Sequence, residues 1–487
     1  MRVHDRQPPG TPDGVMSAPS HRGLLAVLLV AQLMVILDIS AVNVALPDMA
    51  KDLGIRGADV GWVVTSYSLI FGSLLLLGGR AADLLGRRRL FLTGLSIFTV
   101  TSFASAVSVD ASMLFAARAG QGLGAAMLSP AALSIITTAF QGKARVKALG
   151  SWGAVGGAGA AIGVLMGGVL TDMADWRAIF YINLPVGVVL AGTAIKVIPS
   201  DSARSRWRGL DLRGATIATL SLAAILYAVS QGGSAGWTSP ETLALGLAGF
   251  LGVAAFAAVE GGTDQPLLRV QRLADRAVGG GFVLMLIASA VLFGMFLLSS
   301  IYLQNVHGTG PLETGLAFLP VAVAAGMGAH VGSQFVPRLG VRVPMAGGFA
   351  ITAVAMLLLA AADGDSSYVI SLLPGMLLAG LGLGVVLVGV PFSVLTGVRE
   401  EESGMLSGLN TTGHELGGAF GVAVLVSIAT AGGGTESAVV HAVGIADAFL
   451  AAGLIAGAGS LIALLVLPSA GVFLPKLRLA PTPILMH

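Results

Sequence analysis

Not one of the 487 residues is cysteine, so disulfide scaffolds, cysteine-ligated zinc and thiol nucleophiles are excluded, and redox compartment goes unmarked. Charge is scarce too. The 27 Lys and Arg and 25 Asp and Glu make up 11% of the chain, against about 25% in soluble proteins. So few charges cannot build a water-facing surface for a chain of this size. Aromatic residues stand at 6%, and a formal net charge of +2 is too small for a dense nucleic-acid-binding face. What the chain does have is apolar residues, 55% of the total, 69 glycines and a mean hydropathy of +0.88. That composition belongs in a lipid bilayer.

The first 22 residues, MRVHDRQPPGTPDGVMSAPSHR, are polar, rich in Pro and Gly, and lack the apolar core of a cleavable signal. They are expected to form a disordered tail, with Met1 or Met16 as the start. Beyond them, a window of about 19 residues finds fourteen apolar runs, from 24–46 to 445–467. Each is long enough for a helix to cross a hydrocarbon core of about 30 Å, and none shows the short alternating segments of a barrel. An even number of spans puts both termini on one side. Of the 27 Lys and Arg, 23 then fall on that side, Lys51, Arg56 and Arg177 fall on the other, and Arg118 lies inside a span. The positive-inside rule makes the richer side cytoplasmic, which predicts a multi-pass membrane protein with both termini in the cytoplasm.

A weak internal repeat sets GGRAADLLGRRR (78–89) beside GSQFVPRLGVRV (332–343), matching Gly78, Gly86 and Arg88 to Gly332, Gly340 and Arg342. Both segments follow the second helix of a six-helix set if two helices are inserted between the sets, and repeated halves around a central site are a common build of secondary transporters. The expected fold is therefore all-α, with fourteen membrane helices arranged 6+2+6 in pseudo-twofold halves. Residues 1–22 and 469–487 are tails, 23–200 and 276–468 are the bundles, and 201–275 holds linkers and helices seven and eight. The loop 79–89 pairs Asp83 with Arg87, Arg88 and Arg89, while Gly79 and Gly86 permit close helix approach and a tight turn. This pattern suits a charged latch between helices; simple anchoring explains the arginines but neither Asp83 nor the glycine spacing.

That loop resembles the signature of the major facilitator superfamily, and the first half resembles its fourteen-helix drug:proton antiporter branch. LDISAVNVALP (37–47), RAGQG (118–122), DWRAIFYINLPVG (175–187) and YLQNVHGTGPLETGLAFLP (302–320) fall in the order of that branch. Helix five is similar to its glycine motif through Gly159, Gly163, Gly167 and Gly168, with Val164 where the family has proline. The other reading of this stripe is a generic small-residue packing face. The resemblance implies a major facilitator fold in a bacterial cell membrane, no cofactor beyond a proton gradient, and helices 2, 5, 10 and 13 meeting between the halves.

Ionisable groups inside spans are the candidates for function. Arg118 in helix four costs at least about 2.5–3.5 kcal/mol to insert, so it needs a partner or a wet cavity, and Gln121 stands on its face at i+3. A structural clamp on helix carbonyls is the other reading. Asp38, deep in span one, can act as a proton carrier, as a contact for a cationic substrate, or as a permanently paired structural acid. His414 and Glu415 lie mid-span in helix thirteen, where the family more often has Arg-Gln, and add a second candidate for proton coupling. As sequence neighbours they face different directions. Asn43, Gln121, Gln304 and His330 are candidates for the substrate cavity; a position for His330 facing the helix-thirteen pair is the less favoured of its readings.

No Walker motif, HExxH spacing or metal-ligand cluster is present in the sequence, and GAGAAIG (157–163) lies inside a span rather than between a strand and a helix. The chain is expected not to be an enzyme. It is expected to work as a monomer that exchanges protons for small amphipathic drugs or antibiotics. A carrier of one defined metabolite in either direction, or a transport-dead sensor, remains an alternative on the same fold.

Overall fold

The computed structural model describes residues 18–140, 142–200, 211–263, 266–362, 367–398, 400–431 and 442–479, and every regular element among them is helical. The first half comprises α1 (Ala18–Asp52), α2 (Trp62–Leu85), α3 (Arg87–Ala106), α4 (Ala111–Ala139) and α5 (Gly142–Met173), then α6 (Ala178–Tyr181) and α7 (Asn183–Val197) as one interrupted span. Two inserted helices follow, α8 (Leu212–Ala235) and α9 (Pro240–Gly262). The second half contains α10 (Arg276–Asn305), α11 (Pro311–Ala317) with α12 (Leu319–Leu339), α13 (Arg342–Ala360), α14 (Tyr368–Ser371) with α15 (Leu373–Leu395), α16 (Glu400–Ala431) and α17 (Ala442–Val466). A short helix, α18 (Ala470–Leu479), closes the described chain.

Thirteen helical stretches among the described residues are long and apolar enough to cross a bilayer, and α5, 32 residues long, supplies the fourteenth. The spans expected to be continuous at 178–198, 314–336 and 368–396 are each broken near one end. In each case a proline, Pro185, Pro320 or Pro374, lies in the first three residues of the longer piece, where its missing N–H is no loss. Helix starts are fixed by side chains: Asp110 accepts from the Met113 N–H at 2.8 Å and Asp275 from the Ala277 N–H at 2.9 Å. The expected N-terminal tail lies outside the described residues up to residue 17; α1 already begins at Ala18, inside the stretch read as tail, and α18 makes part of the second tail helical.

The two halves are built alike. In the first, α2 and α3 pack on α4, α1 on α5 and α3 on α7; in the second, α12 and α13 pack on α15, α10 on α16 and α13 on α17. The three-residue repeat has a structural counterpart at every position. A Cβ at Gly78 would strike the Ala126 carbonyl of α4, and one at Gly332 would meet the Val385 carbonyl of α15 at 3.1 Å. Gly86 and Gly340 turn the chain at φ +105° and +76°, a region that favours glycine. Arg88 Nη2 donates to the Ile195 carbonyl at 2.6 Å and Arg342 Nε to the Leu467 carbonyl at 2.8 Å. In each half, then, an arginine opening the third span caps the C-terminal end of the sixth.

With fourteen spans, residues 18 and 479 share a face of the bundle, called here the terminal face; the opposite one is the far face. The halves meet through α2 with α16, α5 with α11 and α12, and α1 with α10, which are helices 2, 5, 10 and 13 together with 1 and 9. Toward the far face, Gln304 Nε2 of α10 donates to the Val44 carbonyl of α1 at 2.7 Å, and Gly168 of α5 would place a Cβ 2.6 Å from the Pro311 carbonyl. The α2–α16 seam runs from Gly61 beside Val422 to Leu76 beside Gly408.

The inserted helix α8 covers that seam and bonds to both halves. Thr219 Oγ1 donates to Ser73 Oγ of α2 at 3.2 Å, and Ser427 Oγ of α16 donates to the Val229 carbonyl at 3.0 Å. Leu69, Leu226, Ala419 and Ala423 fill the space between the three helices. The outer helix α9 packs on α8, with Gly249 and Gly252 set against Ser221.

Candidate functional site

Two polar centres lie within the spans. The first gathers α1, α2, α3, α4 and α7 around Asp38 and Arg118, whose side chains are almost wholly buried with Nη1 and Oδ2 2.5 Å apart. Gln121 Nε2 donates to Asp38 Oδ1 at 2.8 Å, and Asn183 Nδ2 donates to the same oxygen at 3.0 Å. Both amides also reach Ser102 Oγ. Arg118 further donates to Gln121 Oε1 at 3.0 Å and through Nε to the Val63 carbonyl at 3.1 Å. Its guanidinium lies 4.5 Å from the centre of the Tyr67 ring, close enough for cation–π attraction. A buried pair satisfied on both sides is the arrangement in which two desolvated charges are tolerated.

The second centre lies on the α2–α16 seam. Ser68 Oγ of α2 donates to Glu415 Oε2 of α16 at 3.2 Å, so this bond joins the two halves. Glu415 is buried, and among the described residues no Lys or Arg forms an ion pair with it. His414 points back into its own half, where Nδ1 lies 2.6 Å from Ser289 Oγ of α10 and the ring meets Phe293 edge-on. The two neighbours therefore act on different surfaces, as a helical offset of one residue requires.

The remaining candidates divide. Gln304 sits on the seam between α1 and α10 and also reaches Ser300 Oγ at 3.2 Å. Asn43 donates to the Ile39 carbonyl of its own helix at 3.1 Å, and its Oδ1 is buried without a partner among the described residues. His330 does not face the helix-thirteen pair: it is exposed and lies 2.8 Å from Gln334 Nε2 one turn along. The cause is the packing of α12 on α15 through Gly328 and Gly332, which sets residue 330, about 200° away on the helix, on the opposite side.

Of the four helix-five glycines, Gly159, Gly163 and Gly167 face α1 of the same half and Gly168 faces α11 of the other. Val164 is buried and α5 runs unbroken through it. The segment expected to be a loop, 79–89, is helical on both sides of Gly86, which alone separates α2 from α3; within it Gly79 approaches Pro130 and Arg88 caps α7. Arg87 also has a partner, and the Asp83 side chain lies outside the described residues.

The sequence alone does not single out Tyr67, Ser102, Asn183 or Ser105, whose Oγ donates to Gln121 Oε1 at 3.0 Å. Neutral polar residues are common inside spans, so only their contacts mark them. Asn183 has the strongest signal, an amide two residues before Pro185 at the start of the longer piece of span six. Tyr67 and Ser68 are consecutive on α2, so one ring rests on the first centre and the next hydroxyl holds the second. The Tyr67 hydroxyl is buried without a hydrogen-bond partner among the described residues.

The profile of the Major Facilitator Superfamily matches residues 28–422. The chain belongs to the major facilitator superfamily. Within it, this facilitator is 40% identical over 410 residues to the puromycin resistance protein pur8 of Streptomyces alboniger, covering 83% of this chain and 81% of that protein. It is 37% identical over 408 residues to the cephamycin export protein CmcT of Amycolatopsis lactamdurans, covering 82% and 84%. Among solved structures, a bacterial homologue of the human lysosomal transporter Spinster, described as inward-facing and unoccupied, superposes with a TM-score of 0.64 at 15% identity over 95% of this chain and 99% of that one. The facilitator is thus a multi-pass membrane protein whose homologues are antibiotic resistance and export proteins.

Proposed function

We propose that this facilitator exports small amphipathic antibiotics or drugs in exchange for protons, by alternating access of its two halves. Relatives named for puromycin resistance and cephamycin export support the cargo class. The observation that carries the coupling is the Ser68–Glu415 bond across the seam, one residue from the ring that rests on Arg118. A carboxylate at Glu415 has no ion-pair partner among the described residues, so ionisation draws the seam toward water, whereas the neutral acid fits the closed seam. Proton arrival and loss then bias opposite states, and differential stability of two states is what drives a population shift.

In this reading Asp38 and Arg118 form the second element of the coupling, and α2 links them to Glu415. The excess of cations on the terminal face favours that face as cytoplasmic. Because the close approaches between α1 and α10 and between α5 and α11 lie toward the far face, the structure stands on the inward-facing side of the cycle. The facilitator works as a monomer with no cofactor other than the proton gradient.

Everted membrane vesicles given puromycin under an imposed pH gradient test this function. The intact chain is expected to accumulate drug with a rate that varies with pH, and Glu415→Gln is expected to flatten that profile, because an amide cannot titrate. An unchanged profile in the variant contradicts a coupling role for Glu415.

A further inference from the structure

At the terminal face of the second half, away from both polar centres, the ends of α10, α13, α15 and α17 and the start of α18 enclose a cleft of about 380 Å³. Arg276, Arg342 and Lys476 line it, with Arg272 at one edge. Arg272 is paired with Glu402, but the other three cations have no carboxylate partner among the described residues. Arg342 spends Nε and Nη2 on the neutral Leu467 carbonyl, which leaves its charge unbalanced and further N–H groups free. The single acid in the lining, Asp275, has Oδ1 bound to the Ala277 N–H at 2.9 Å.

Apart from Ser393, Thr396 and Ser469, the rest of the wall is apolar. Val278, Val394 and Phe473 are buried there, while Val472 at the rim is 53% exposed. Arg276 and Arg342 open the membrane helices α10 and α13, which puts the cleft at headgroup depth with an apolar exit toward the acyl chains. Scattered anchoring cations do not require a concave site with an apolar floor, so positive-inside placement alone does not account for this geometry.

We propose that this cleft binds the phosphate headgroup of an anionic phospholipid from the leaflet at the terminal face. The phosphate sits among Arg276, Arg342 and Lys476, and one acyl chain leaves past Val472. Basic pockets between membrane helices recognise such headgroups, and each Lys or Arg near an anionic surface is worth about a fivefold change in affinity. A free phosphate shares the headgroup chemistry but gains nothing from the apolar exit.

The test uses the full chain purified in detergent, incubated with phosphatidylglycerol or phosphatidylcholine, with retained lipid counted by native mass spectrometry. Phosphatidylglycerol is expected to be retained over phosphatidylcholine, and R276Q/K476Q is expected to weaken retention roughly 25-fold. The charge-keeping R276K/K476R pair, and R213Q at an exposed arginine outside the cleft, should retain lipid as the parent does. Millimolar inorganic phosphate should not displace it. Equal retention of the two lipids, or retention indifferent to R276Q/K476Q, overturns the proposal, and full displacement by inorganic phosphate assigns the cleft to a free anion instead. None of these outcomes depends on whether the protein exports drugs.

Discussion

Replacing Asp38 by Asn is expected to abolish gradient-driven drug uptake and to destabilise the first half of the protein. Asp38 accepts from Arg118, Gln121 and Asn183, and its carboxylate is the only anion paired with Arg118 among the described residues. An amide leaves that guanidinium buried and unbalanced, and breaking a buried pair in this way costs about 3–5 kcal/mol. Asn183→Ala removes one neutral donor from the same oxygen and is expected to cost about 1 kcal/mol.

Because a folding defect alone stops transport, the decisive variant is D38N/R118Q, which removes both charges together. Neutralising both partners of a buried pair is far gentler than removing one. The double variant is therefore expected to recover most of the lost thermal stability, read by fluorescence-detected size-exclusion after heating, and yet remain unable to accumulate drug. Recovery of uptake together with stability makes Asp38 a structural acid and removes it from the coupling.

The second large effect is expected at Gly167. A Cβ there would lie 2.6 Å from the Ala41 carbonyl oxygen and 2.7 Å from the Ala41 Cα. Both atoms belong to the backbone of α1, one turn from Asp38, so no side-chain rotation relieves the clash. Overpacking costs about 1–3 kcal/mol where side chains give way, and more where they cannot. Gly167→Leu is expected to remove most of the folded protein from the membrane fraction. Gly192→Leu on α7, where nothing lies within 4 Å, should leave yield and thermal stability unchanged within about 0.5 kcal/mol. Equal behaviour of the two variants contradicts the close α1–α5 packing.

The features legible in the sequence were those with a large free-energy signature. A charge in an apolar span stands out, which is why Asp38, Arg118 and Glu415 were identifiable before any geometry. The three matched positions of the repeat were also visible, although too few to carry weight alone. Their meaning came from the structure, where Arg88 and Arg342 cap the corresponding helix in each half.

Direction within a span was less legible. His414 and Glu415 are adjacent in sequence yet serve different surfaces, and His330 turned out to lie on the far side of α12 from its packing face. Small hydroxyl groups such as that of Ser102 carry no distinctive pattern of their own. The bridging position of α8 was hidden for a related reason: an apolar helix shows in its sequence that it spans, but its neighbours are chosen by surface shape.

The central claim is that drug export is driven by proton exchange. Its most direct test is the purified chain in proteoliposomes with a pH-sensitive dye inside, challenged with drug on the cytoplasmic-side face. Drug entry is predicted to be accompanied by alkalinisation of the lumen, and collapsing the gradient with an ionophore is predicted to stop net accumulation. Accumulation that continues after collapse, with no proton movement, contradicts the account.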